Sequence, residues 1–284
     1  MFFDTHAHLN FANFVRDRED IIQKCLKENL WLINVGTNFF TSKKAIEIAQ
    51  KYEEGVYAAI GLHPMNLATT LIKQKIDINE IREKHSSPFE TSFDYGGYRE
   101  IAKIKKVVAI GEIGLDYYWR PKTKKRLETF KNNQKELFLE EMRLAKELDL
   151  PMIIHCRMAH EDLIVILKEQ ALFYDSNFKG VIHSFTGTWE QAKEYMALGF
   201  FIGFNGIIFR LDLEKVIKKI PLNKILLETD CPYLSPPEYR KDRNDPFGVK
   251  FVAKEIARIK KLSFKEIADQ PTKNAKKLFL NIDE

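Results

Sequence analysis

The sequence predicts a parallel α/β fold of the TIM, or (β/α)8, barrel type. Three observations point to it. Eight short apolar runs alternate with longer amphipathic segments, the pattern of repeated βα units. The 284 residues match the roughly 250 that such a barrel occupies. The residues with chemical potential fall at the C-terminal ends of several runs, where a barrel assembles its site. An open doubly wound sheet shares the periodicity, and this placement separates the two.

The runs are Phe2 to Asp4, Trp31 to Gly36, Val56 to Gly61, Val107 to Gly111, Met152 to His155, Gly180 to His183, Phe200 to Phe204 and Ile225 to Glu228. Their unbroken apolarity suits strands buried on both faces. Between them the clearest helix carries Leu127, Phe130, Gln134, Leu137, Phe138, Met142, Ala145 and Leu148 at three-and-four spacing, one apolar stripe turned to the barrel. Ser86 to Gly97, with Pro88, Gly96 and Gly97, reads as an inserted loop. No repeat or interdomain linker is evident, so residues 1–284 are expected to form one barrel domain.

Composition sets outer bounds. The chain is 45% hydrophobic and 30% charged, with a net charge of +5, which permits a polyanionic partner without requiring one. Cys25, Cys156 and Cys231 form no CxxC pair and suggest neither a disulfide framework nor a zinc knot. No leader-like start or membrane-length apolar run is seen, so a cytoplasmic protein with no membrane association and no obligate protein partner is expected.

His6 and His8 close the first run in Thr5-His6-Ala7-His8. Strand residues two apart share a face, so the two imidazoles can anchor one cation. Glu112 follows the fourth run in Gly111-Glu112-Ile113-Gly114, where a carboxylate at the barrel mouth can bridge two cations. His155 and His183 end the fifth and sixth runs, and Asp230 follows the apolar approach of the eighth. An unpaired carboxylate there would be costly to bury, and a metal would neutralise it. Four imidazoles and two carboxylates suffice for two metals if one carboxylate bridges. Glu228 is read as structural.

Thr5-His6-Ala7-His8-Leu9, Gly61-Leu62-His63-Pro64, Gly111-Glu112-Ile113-Gly114-Leu115-Asp116-Tyr117, Ile154-His155-Cys156-Arg157, His183-Ser184-Phe185-Thr186-Gly187 and Glu228-Thr229-Asp230-Cys231-Pro232-Tyr233 together resemble the TatD family of metal-dependent deoxyribonucleases, in order and over nearly the whole chain. The resemblance implies an amidohydrolase-like barrel with two divalent cations. His6, His8, Glu112 and Asp230 match the ligands of one, and Glu112, His155 and His183 those of the other. Met158 stands where the family commonly has an acid, and Arg240-Lys241-Asp242-Arg243-Asn244-Asp245-Pro246 lacks the family's usual glycine.

The activity so implied is phosphodiester hydrolysis in DNA, as an exonuclease, by a metal-activated water, with Asp230 and Glu112 as catalytic groups and Asp230 as general base. Ligand softness favours zinc or manganese, with magnesium open through abundance. His63 and Arg157 are the expected substrate-binding residues. Lys122, Lys124, Lys125 and Arg126, beside Tyr117, Tyr118 and Trp119, suit a nucleic acid, and Arg240 and Arg243 extend that basic rim. The alternative substrate is a small ester, lactone or amide, which would call for a closed apolar pocket.

Overall fold

In a computed structural model the described residues are all but 68, 73–89, 175–177, 240–241 and 283–284. Eight strands, β1 (Phe2–Ala7), β2 (Leu30–Val35), β3 (Val56–Ile60), β4 (Val107–Asp116), β5 (Met152–Arg157), β6 (Gly180–His183), β7 (Phe201–Phe204) and β8 (Ile225–Leu227), form one sheet in sequence order. Each pairs in parallel with the next. The ring closes past the end of β8, where Asp230 N–H donates to His6 O at 2.8 Å and His8 N–H to Cys231 O at 2.9 Å. This is the TIM-type barrel expected from the sequence.

The helices are α1 (Arg18–Lys27), α2 (Phe39–Ala49), α3 (Tyr95–Ala102), α4 (Lys124–Glu147), α5 (His160–Tyr174), α6 (Trp189–Ala197), α7 (Glu214–Lys219), α8 (Val249–Lys260) and α9 (Phe264–Leu280). α4 buries Phe130, Leu137, Phe138, Met142 and Ala145, the expected stripe, with Gln134 and Glu141 as polar members of it. α9 closes the far end of the barrel. Its Ala275, Leu278 and Phe279 join Phe3, Ile33, Ala59, Ile153 and Leu226 in one apolar cluster, and Asn274 donates to Leu222 O and Ile225 O at the foot of β8.

Two differences from the sequence reading have clear physical causes. β1, β4 and β5 run to Ala7, Asp116 and Arg157, past the first polar residue. An apolar-run criterion stops at such residues, whereas the backbone ladder continues through buried polar side chains that face one another. Gly96 and Gly97 belong to the first turn of α3 rather than to a loop, because the Asp94 side chain accepts from Gly97 N–H and caps the helix. Of the rest of that loop reading, Glu90 to Asp94 lie outside the named helices and strands, and residues 86–89 lie outside the described residues.

Candidate metal centre

The strand ends that carry the site are bulged. Between β1 and β2 the register passes from Asp4–Leu32 to Ala7–Asn34, and between β4 and β5 from Ile110–Met152 to Ile113–Ile154. In each case one strand advances three residues against two. The extra residue re-aims the side chains beside it, His6 in one strand and Glu112 in the other. Asp4 fixes the first bulge by accepting from His6 N–H at 3.2 Å and from the Thr229 N–H and hydroxyl at 2.9 and 2.6 Å.

His6 Nε2 and His8 Nε2 stand 3.1 Å apart. Asp230 Oδ1 lies 3.7 Å from the first and 3.4 Å from the second. Atoms bound about 2.1 Å from a tetrahedral cation stand about 3.4 Å from one another, so this trio has the spacing of a coordination triangle. His8 Nδ1 donates to Val35 O at 2.9 Å, which leaves its lone pair on Nε2, facing the cluster.

Glu112 has an oxygen for each half of the site. Its Oε2 is 3.5 Å from His6 Nε2 and 3.9 Å from His8 Nε2. Its Oε1 is 2.8 Å from His155 Nδ1, 3.7 Å from His63 Nε2 and 3.9 Å from His183 Nε2. His183 in turn faces Glu228 through Nδ1 at 2.8 Å, and its ring stacks on His6 with centroids 3.5 Å apart.

All six expected ligands converge at the C-terminal mouth of the barrel. Three groups bring potential ligand atoms within 4.8 Å of one another: His6 with His8 and Asp230, His6 with Glu112 and His183, and His63 with Asp116 and His155. The third was not foreseen. Asp116 shares a strand with Glu112 at an even spacing of four, and that spacing is the signal that marks it for the same face. The buried Gln134 clamps it, accepting from Asp116 N–H at 2.9 Å and donating to Asp116 O at 3.0 Å. Asp116 Oδ2 is 3.3 Å from His155 Nε2.

The electrostatics suit cation binding. Burial raises the Glu112 carboxyl, but the charges of His63 and His6 and the hydrogen bond from His155 overcome it and hold the group well below its usual range. Asp230 is lowered in the same way, chiefly by His8 and His183 against burial. Burial lowers His155 and His183, yet their carboxylate partners lift them to about 10 and about 9. Among the described residues Glu112 and Asp230 have imidazoles as their ion-pair partners. Cations would replace the protons on those rings, so the donor set fits bound metal.

His63 differs from the four imidazoles of the expected ligand set. Met65 N–H donates to its Nδ1 at 3.2 Å, so the neutral ring carries its proton on Nε2, toward the cavity. Burial lowers it to about 4. Arg157 lies at the rim, 46% exposed and 3.8 Å from Asp116 Oδ2, with its guanidinium 3.6 Å from the Tyr118 ring centroid. The cavity over these groups holds about 350 Å³ and is also lined by Phe11, Trp119 and Tyr233. Two of the expected rim cations are committed elsewhere: Arg126 donates to Thr70 O and Leu71 O, and Arg243 pairs with Asp17. Arg240 lies outside the described residues.

The family model of TatD related DNases matches residues 3–280. The chain belongs to that family. This TatD-family chain is 39% identical over 283 residues to the metal-dependent hydrolase YabD of Bacillus subtilis, covering 98% of this chain and 99% of the relative. It is 30% identical to the 3'-5' ssDNA/RNA exonuclease TatD of Erwinia tasmaniensis, over 98% of this chain and 99% of that one. The crystal structure of the TatD homologue YJJV from Escherichia coli K12 superposes with a TM-score of 0.79 at 29% identity, over 99% and 98% of the two chains. The protein is therefore a metal-dependent hydrolase on a TIM barrel.

Proposed function

We propose that this chain, acting as one hydrolase unit, cleaves phosphodiester bonds in DNA as an exonuclease. The observation that carries the reading is the division of Glu112, one oxygen toward His6 and His8 and the other toward His155, His183 and His63. That division suits a carboxylate shared between two cations. His6, His8, Glu112 and Asp230 would hold one, and Glu112, His155 and His183 the other. Divalent cations, when bound, polarise the phosphate, acidify water and offset charge on the attacking and leaving oxygens. Four imidazoles favour zinc or manganese over magnesium.

The chain's own groups divide the remaining work. The Asp230 side chain is 17% exposed against 7% for Glu112, so Asp230 is the carboxylate that water reaches, and it accepts the proton of the attacking water. His63 presents Nε2–H to a phosphoryl oxygen. Arg157 pairs with a phosphate at the rim, where a planar guanidinium binds two oxygens at once.

The name of the Erwinia relative supports a nucleic acid substrate, as does that of the human deoxyribonuclease TATDN3, 29% identical over 97% of this chain. A small ester, lactone or amide calls for an enclosed apolar pocket, whereas this cavity sets His63, Glu112, Asp116, Arg157 and Asp230 beside its aromatic rings. The three cysteines are buried and unpaired, which suits the reducing cytoplasm we assign to it; no helix among the described residues is long and apolar enough to cross a membrane. The deciding experiment incubates metal-loaded protein with labelled single-stranded, duplex and nicked DNA, beside a panel of small esters and amides. Cleavage confined to the small substrates would overturn the proposal.

A further inference from the structure

Where β4 ends at Asp116 the chain turns one aromatic ring inward and two outward. Tyr117 is 2% exposed, and its hydroxyl donates to Asp162 at 2.9 Å. Tyr118 and Trp119 are 47% and 43% exposed and meet edge to face, with centroids 4.9 Å apart. Large aromatic rings this exposed at the lip of a catalytic cavity point to a ligand with flat faces.

Tyr118 is fixed relative to the ligand cluster, and Trp119 packs edge to face against it. Asp116 Oδ1 accepts from Tyr118 N–H at 2.8 Å while Oδ2 faces His155, and Gln134 holds the Asp116 backbone from both sides. Arg157, two residues after His155, places its guanidinium over the Tyr118 ring, and Trp119 lines the cavity itself. A phosphate bound by Arg157 or at the cluster would therefore carry its own nucleobase past the two rings.

We propose that Tyr118 and Trp119 form a stacking subsite for one unpaired nucleobase beside the scissile phosphate. The inference rests on the nuclease reading above. A base within a duplex already has both faces covered and its edge paired, so it must leave the stack to lie on a protein ring. Every base has a π-face, so the subsite selects unpaired bases without selecting sequence.

The test compares a single-stranded oligonucleotide with two copies lacking the base of one terminal nucleotide, one copy for each end, so that either direction of entry is covered. Wild-type enzyme should cleave the intact strand with a kcat/KM roughly tenfold to a hundredfold above that for the abasic copy at its entry end, the loss expected for one base–aromatic stack. Trp119→Ala and the double variant Tyr118→Ala/Trp119→Ala should fall to the abasic value on the intact strand and fall no further on the abasic one, while Trp119→Phe retains most of the discrimination. Both rings are exposed, so metal content and melting temperature should match wild type. Equal losses on intact and abasic strands, or no loss, would overturn the subsite while leaving the nuclease reading standing. If metal-loaded wild type cleaves no oligonucleotide, the nuclease reading fails and the subsite falls with it.

Discussion

Glu228 Oε2 accepts two hydrogen bonds at once, from His183 Nδ1 at 2.8 Å and from the backbone N–H of Ser184 at 3.0 Å. The carboxylate is fully buried behind the ring and leaves the lone pair of His183 on Nε2, toward Glu112 and Asp230. Room for it exists because residue 203 is glycine: a Cβ there would stand 2.1 Å from Glu228 Oε1.

Glu228→Ala should therefore weaken cation binding by roughly tenfold to a hundredfold, the usual cost of removing a carboxylate that orients a ligating imidazole. Gly203→Ala, which pushes on the same carboxylate, should do likewise. Competition with a chromogenic chelator measures both. Unchanged affinity in Glu228→Ala would mean that His183 is held by its stacking on His6 alone.

Glu112 supports a sharper stoichiometric expectation, because its two oxygens address different rings. Glu112→Ala should reduce bound cations from two per chain to one or fewer, read by elemental analysis after gel filtration. Full stoichiometry in that variant would remove Glu112 from the bridging position.

Away from the site, Glu141 on α4 is fully buried, accepts from Leu62 N–H through Oε1 at 2.8 Å, and has no partner for Oε2 among the described residues. Burial raises its carboxyl well above the ordinary value, with the charge of Glu90 adding to the rise. The folded chain thus keeps a proton that the unfolded chain releases near pH 4.5. The stability this contributes is complete below that pH and is lost as pH rises toward the folded value. Glu141→Gln removes the dependence, so it should melt close to wild type at pH 4 and higher at pH 8, by at least about 2 °C, the shift given by roughly 1 kcal/mol in a chain of this size. A difference independent of pH would show the carboxyl to be ionised in the fold.

The positions of the strands were legible because parallel strands buried on both faces leave apolar runs; β6 matches to the residue at Gly180–His183. The six expected ligands could be picked out because each sits where such a run ends. Asp116 could not, since the ladder continues through Gly114 to reach it and an apolar run ends earlier. The tautomer of His63 was invisible as well, being set by the Met65 N–H in a turn whose geometry no periodicity encodes. Nor does a cluster of basic letters reveal which side chains are spent on backbone carbonyls or carboxylates, as Arg126 and Arg243 are.

That last distinction yields a prediction about salt. Asp230→Asn should lose turnover by on the order of a hundredfold or more, because an amide cannot accept the water's proton, and it serves as a binding-competent, inactive background. Its affinity for a single-stranded oligonucleotide should fall with salt at a log-log slope of about 0.7 per phosphate contacted, as counterions cease to be released. Arg157 is exposed at the mouth, with Asp116 no nearer than 3.8 Å, so removing its charge by Arg157→Ala should make the slope shallower by nearly one contact. Arg126→Ala and Arg243→Ala should leave the slope as it is, since those guanidinium groups are held by Thr70, Leu71 and Asp17. A small-ester hydrolase would bind its substrate with little dependence on salt, because screening acts mainly on charges that meet across solvent. A flat salt response in Asp230→Asn would thus turn the assignment toward a small substrate, and an unchanged slope in Arg157→Ala would remove that residue from the phosphate path.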